Sequence, residues 1–201
     1  MAKKKAIIGF KGINLAPIVT DGISDYATEE AWPLPYAGSM TRTPKENNQD
    51  FHYDDDLYKS YRDISGEEAV ITLGEADPTI LEKLGLGKYN TEAKTFEGDF
   101  NLIGKSFSVR ALTELIDGGY YLWKYRVFEV SSVRFGDFQT KGESLQISEV
   151  TITGTLKRPK AVGLKPYAIM EVEAGEEAGA AALAFLRDAE TFPAQDPSPG
   201  T

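Results

Sequence analysis

From Tyr120 to Pro159 apolar and β-branched positions follow one another with hardly a helix-forming residue between them, which predicts a run of adjacent antiparallel strands. The first, Tyr120 to Val130, is dense in aromatics and opens on a turn signal at Asp117-Gly118-Gly119. The last, Ser144 to Leu156, puts Leu145 and Ile147 on one parity and Val150 and Ile152 on the other, so a β-bulge is expected near Ser148-Glu149. Phe107, Val109 and Ala111 alternate with Ser106, Ser108 and Arg110 as a half-buried strand does. Ala69, Ile71 and Leu73 mark the inner face of another strand over Gly66 to Gly74, which should pair with the segment before it.

That preceding segment, Gly38 to Asp50, contains Pro44 and reads as an edge strand. A long excursion carries it through Asp54-Asp55-Asp56 to Tyr61. Ala6 to Phe10 predicts an N-terminal strand, and Thr20 to Pro35 a loop held extended by Trp32-Pro33-Leu34-Pro35. Asp77 to Gly85 has helix grammar: Asp77 as N-cap, Pro78 at the first helical position, Ile80, Leu81 and Leu84 on one stripe, and glycine at the end. Past Gly175 a second helix is expected from about Ala180 to Glu190, with Leu183, Phe185 and Leu186 seeking apolar partners, and Pro193 to Thr201 reads as disordered. The pattern divides the chain into a β domain over 1–174 and a helical and disordered tail over 175–201.

A chain of 201 residues with 41% hydrophobic content suffices for one substantial core. Neither a signal-like apolar run nor a membrane-length stretch is present, so a soluble protein made in the cytoplasm is expected. Zero cysteines exclude disulfides and thiol chemistry. A net charge of −9 argues against gripping nucleic acid, which requires clustered Lys and Arg; the Lys3-Lys4-Lys5 run reads as a solubilising flank.

Candidate chemistry is sparse. His52 beside Asp54, Asp55 and Asp56 suggests a divalent metal, but consecutive aspartates on an extended backbone alternate faces, so no metal is assigned. Gly85-Leu86-Gly87-Lys88 reads as a helix stop, lacking the Walker spacing. Tyr121, Trp123 and Tyr125 share one parity and read as core or subunit interface in preference to a stacking platform. Glu143 and Glu149 show no acid/base partner. The expectation is a protein that is not an enzyme and has no cofactor, whose role is to build a surface.

In its order of parts the chain resembles the major tail tube protein of long-tailed, non-contractile bacteriophages. The resemblance is carried by Gly9-Phe10-Lys11-Gly12-Ile13-Asn14-Leu15, Tyr53-Asp54-Asp55-Asp56, the Asp77 to Gly85 helix, and Thr140-Lys141-Gly142-Glu143-Ser144 leading into Val150-Thr151-Ile152-Thr153-Gly154-Thr155. It implies a mainly β (α+β) fold, an antiparallel β-sandwich or partial barrel with one packed helix, forming hexameric rings that stack into a tube. Implied partners are other copies of the chain and tape-measure, tail-tip and tail-terminator proteins. DNA would pass through the lumen without specific binding, in the virion tail, and no membrane is involved.

Within that frame the excursion bearing Thr41, Lys45, Asp54, Asp55, Asp56 and Arg62 is the expected inter-ring element, and Glu67, Glu68, Glu143 and Glu149 are the expected acidic lumen positions. Rival readings are a receptor- or carbohydrate-binding β-sandwich module, the ring-forming tube protein of a bacterial secretion machine, and an enzyme built on the His52 cluster.

Overall fold

In a computed structural model the described residues are 7–53, 56–76, 78–98, 105–135, 138–141, 144–173 and 180–192; side chains are described for all of these except Ile8, 46–53, 56–65, Ala76, 138–141 and 144–148. The strands are β1 (Ile7–Asp21), β2 (Tyr26–Thr28), β3 (Trp32–Leu34), β4 (Ala37–Tyr53), β5 (Asp56–Ala76), β6 (Gly87–Asn90), β7 (Thr95–Gly98), β8 (Ser106–Leu115), β9 (Tyr120–Phe135), β10 (Phe138–Lys141), β11 (Ser144–Lys157), β12 (Tyr167–Val172) and β13 (Thr191–Phe192). Two helices, α1 (Pro78–Leu84) and α2 (Ala180–Arg187), complete a mainly β chain.

The sheet is antiparallel and runs β13-β2-β1-β8-β9-β11-β5-β4, with β3 beside β1, β12 beside β9 and β10 beside β11; β6 and β7 form a separate hairpin. It curves around its core without closing into a barrel. The curvature has a local cause in β9. One extra β9 residue stands opposite β8 between Tyr125 and Phe128, and another, Ser131, opposite β11 at Thr153/Gly154. Each insertion reverses the parity. Trp123 and Tyr125, then Phe128 and Val130, then Val133 therefore all join the one main core. Gly154 sits opposite the second bulge, where a Cβ would lie 2.5 Å from the Glu129 carbonyl oxygen and from the Phe128 ring.

Ile80, Leu81 and Leu84 of α1 drop into the same core. Leu86 N–H bonds the Leu81 carbonyl and Gly85 N–H the Glu82 carbonyl, with Gly85 at φ 83°, so the helix ends in a Schellman turn whose flanking Leu81 and Leu86 are both buried. The Asp77 cap lies outside the described residues.

Four expectations change. The bulge expected near Ser148-Glu149 is absent: β11 keeps its register with β5 from Ile147↔Ala76 to Leu156↔Glu67, and Glu149 instead takes a left-handed φ of 54° with no residue inserted. The stretch 20–35 contains β2 and β3, because Tyr26, Thr28 and Leu34 turn inward while their backbones pair with β1. β8 is buried on both faces, Ser108 and Arg110 being as inaccessible as Phe107 and Val109, since α2 and the residues after it cover the second face. On α2 it is Ala182, Phe185 and Leu186 that pack, against Leu122, Val172 and Met170, while Leu183 is 44% exposed. Residues 1–6 and 193–201 lie outside the described residues.

Candidate functional site

Four long strands, β4, β5, β11 and the second half of β9, form a sheet open at both ends. β4 pairs only with β5 among the described strands, leaving a seventeen-residue edge. At the other end β8 leaves β9 at Ser106↔Glu129, so Ser131 to Phe135, continued by β10, have no partner on that side among the described residues. Open edges carry unpaired N–H and C=O groups and act as templates for another strand.

The two faces differ sharply. Ala69, Ile71, Leu73, Val150 and Ile152 supply the core, and the alternate residues must point away from it. Across the four strands these form three rows: Ser39, Thr72, Thr151, Arg134; then Thr41, Val70, Thr153, Ser132; then Thr43, Glu68, Thr155, Glu129. Eight of the twelve are hydroxyl residues, six of them threonines on stiff β-branched stems. The charges are matched: Lys45 donates to Thr155 Oγ1 at 3.1 Å and lies 3.7 Å from Glu68, and Lys157 pairs with Glu129. Such half-exposed pairs contribute roughly 0–1 kcal/mol each, so they cancel charge more than they stabilise.

Beyond Lys45↔Gly66 the β4-β5 hairpin pairs only with itself, from Glu46↔Ile64 to Tyr53↔Asp56, and forms an arm. Its root is built: Ser65 is one residue too many for the register, and a Cβ on Gly66 would stand 2.7 Å from the Leu156 carbonyl oxygen. On the core side of the root, Arg42 lies over Tyr125 at 5.1 Å and Trp123 at 5.7 Å while bonding Glu67 at 3.1 Å. Trp123 stacks on Tyr125 at 6.3 Å and donates Nε1–H to Thr113. Trp123 and Tyr125 are thus part of the core wall, roofed by an arginine.

A second polar assembly lies on the opposite face of β8 and β9, under residues 186–192. Glu190 receives Arg126 Nε at 3.1 Å and faces Lys124 Nζ at 3.6 Å; Arg110, fully buried, donates Nη1 to the Asp188 carbonyl at 2.7 Å. Thr28 exchanges bonds with Glu190, its N–H to the Glu190 carbonyl and its Oγ1 accepting Glu190 N–H, and Tyr26 donates to the Arg126 carbonyl. Burial pushes Lys124 and Arg110 down from their ordinary values and Tyr26 up. Lys124 and Arg126 share the Glu190 carboxylate and Arg110 holds the Asp188 carbonyl, which makes the assembly a clasp for the C-terminal segment.

The expected site residues fall as follows. Thr41 and Lys45 stand on the hydroxyl face of β4; Asp56 and Arg62 are arm positions of β5, paired with Tyr53 and Asn48; Asp54, Asp55 and Glu143 lie outside the described residues. Glu68 is on the hydroxyl face, its neighbour Glu67 points to the other side towards Arg42, and Glu149 is exposed at the kink in β11. Among the described residues no group of three or more His, Cys, Asp or Glu side chains is placed to hold a metal. A groove of about 800 Å³ between β1 and α1 is lined by Lys83, Lys105, Lys160, Asp21, Glu29 and Glu82, with Lys83 drawn over the Trp32 ring. The hydroxyl face was not read from the sequence, although the Thr-x-Thr-x-Thr spacing of β11 is a signal that marks it; the Glu190 clasp carries no local signal, because its members are far apart in the chain. No protein-family model matches the chain, and no curated protein matches its sequence.

Proposed function

We propose that this chain is a structural subunit that polymerises by edge-to-edge strand pairing into rings, which stack into the hollow tail tube of a non-contractile bacteriophage. The observation that carries the reading is the β4-β5-β11-β9 sheet, which among the described residues has one free edge at each end. Identical copies joined through unlike edges make a heterologous contact, which closes into a ring or continues as a filament. Closure removes both exposed edges, and hexameric closure is what the resemblance implies. The arm then supplies a contact along the tube axis. In this reading the working partners are other copies, a tape-measure protein and the tail-tip and terminator proteins, and the place of work is the virion tail.

Negative-stain electron microscopy over a concentration series tests it, with and without tail-tip complexes as initiators. Rings or hollow filaments are expected. A monodisperse monomer that also fails to extend the tail-tip complexes overturns the reading.

A further inference from the structure

We infer that the two ends of the β1-β8-β9-β12 layer are complementary halves of a second contact between neighbouring copies, in which the basic loop 157–165 of one copy seats on the acidic β8-β9 turn of the next. The inference rests on the tube reading and adds a charged outer contact to the pairing of sheet edges.

Charge is the first support. Residues 157–165 hold Lys157, Arg158, Lys160 and Lys165 and no acid, in a chain of net charge −9. All four are exposed, and of them only Lys157 has an ion pair among the described residues. At the opposite end of the layer, Val172 pairs with Tyr120 and Leu115 N–H bonds the Gly119 carbonyl, which brings Glu171 and Glu173 to the same end as Asp117, all three exposed.

Apolar exposure is the second. Val162 N–H donates to the Ile23 carbonyl, and the two side chains, 73% and 74% exposed, crown the basic loop; Ile116, 67% exposed, crowns the acidic turn. Each end thus has an apolar centre within a rim of one charge sign, the layout of a protein interface.

Placement is the third. β9 leaves this layer for the β4-β5-β11-β9 sheet beside Lys157, which pairs with Val127, so the free edge of β9 and β10 lies at the basic end. The other free edge, β4, crosses the layer where Arg42 lies over Trp123 and Tyr125, and the layer runs on past it to Tyr121, Glu171 and Ile116. Joining unlike edges therefore brings the basic loop of one copy to the acidic overhang of the next. Opposite charges steer that encounter, and like ends repel, so the contact also rejects the wrong orientation.

Charge reversal tests it, because every copy contributes both ends. Arg158→Glu with Lys160→Glu makes a subunit acidic at both ends, and Glu171→Lys with Glu173→Lys makes one basic at both. Each alone should need a roughly tenfold or higher concentration than the parent to form filaments, an equal mixture should assemble near the parent concentration, and added salt should weaken parent and mixture alike. Assembly of either variant at the parent concentration overturns the inference while the parent's filaments keep the tube reading standing; a parent chain that forms no filaments overturns both. A second readout leaves the charges untouched. The chain has no cysteine, so Ile116→Cys with Val162→Cys supplies two thiols to a short bismaleimide. β8, ten residues long, holds the two positions of one copy roughly 30 Å apart, so links form between copies. Filaments should give a ladder of covalent oligomers and the free subunit none; filaments without a ladder overturn the inference.

Discussion

Glu190 shows how unequal two carboxylates in one chain are. Its side chain is 17% exposed and serves buried cations, whereas Glu67, at 36%, serves Arg42 at the surface. Removing the first charge strands Lys124 and Arg126 with Arg110 beside them; Glu190→Gln should cost about 3 kcal/mol, read as a fall in the urea midpoint. Glu67→Gln should cost roughly 1 kcal/mol or less. A second residue-scale outcome concerns alkali. Burial pushes the Tyr125 phenol up from 10 to about 12, so the folded state holds its proton longer than the unfolded one. Its contribution is therefore complete below pH 10 and is lost as pH rises from 10 to 12. Denaturation curves across that window should steepen in their loss of stability, and Tyr125→Phe should flatten them. Neither residue's role was legible beforehand. Tyr125 reads as one member of an aromatic parity, and nothing in Ala189-Glu190-Thr191 announces the arginines, because Arg110 and Arg126 reach it only through β8 and β9 pairing.

At the scale of elements, period-two and capping signals were legible wherever one element sets its own environment. α1 shows it, since its apolar stripe and terminal glycine are both local; Gly85→Ala should cost about 1 kcal/mol through the left-handed φ of 83°, measured as a lowered Tm. β2 and β3 were hidden because three residues carry too short a pattern, and β1 defines them from outside. The β9 bulges were hidden because an inserted residue makes a strand look out of phase with itself. For the arm, pairing with itself alone has a kinetic consequence, since an isolated two-stranded hairpin is marginally stable. Amide hydrogens over 46–64 should exchange far faster than those over 66–73 in the free subunit and slow markedly in filaments. Equal protection in both states would contradict an axial contact through the arm.

Taken as a whole, the described residues form a covered sheet with one bare face, two open edges and an arm, and these parts are separable by mutation. Replacing 46–64 with a two-residue Asn-Gly turn between Lys45 and Ser65 leaves every core contact among the described side chains in place. Such a chain should keep the parent Tm and form rings that no longer stack, seen as discs in place of filaments by electron microscopy. The general layout was readable from alternation alone, whereas the use of its final residues was not, because the clasp joins the two ends of the chain: Asn14 on β1 bonds the Leu186 carbonyl, 172 positions away. That closure sets an order of events during synthesis. The cations of β9 leave the ribosome before the Glu190 carboxylate that pairs with them, so this side of the body cannot finish folding until residues 186–192 have emerged. A product that ends before Glu190, by early termination or clipping, leaves Lys124 and Arg126 without their carboxylate where a seal belongs. The presence of that segment is thereby checked by electrostatics, one copy at a time.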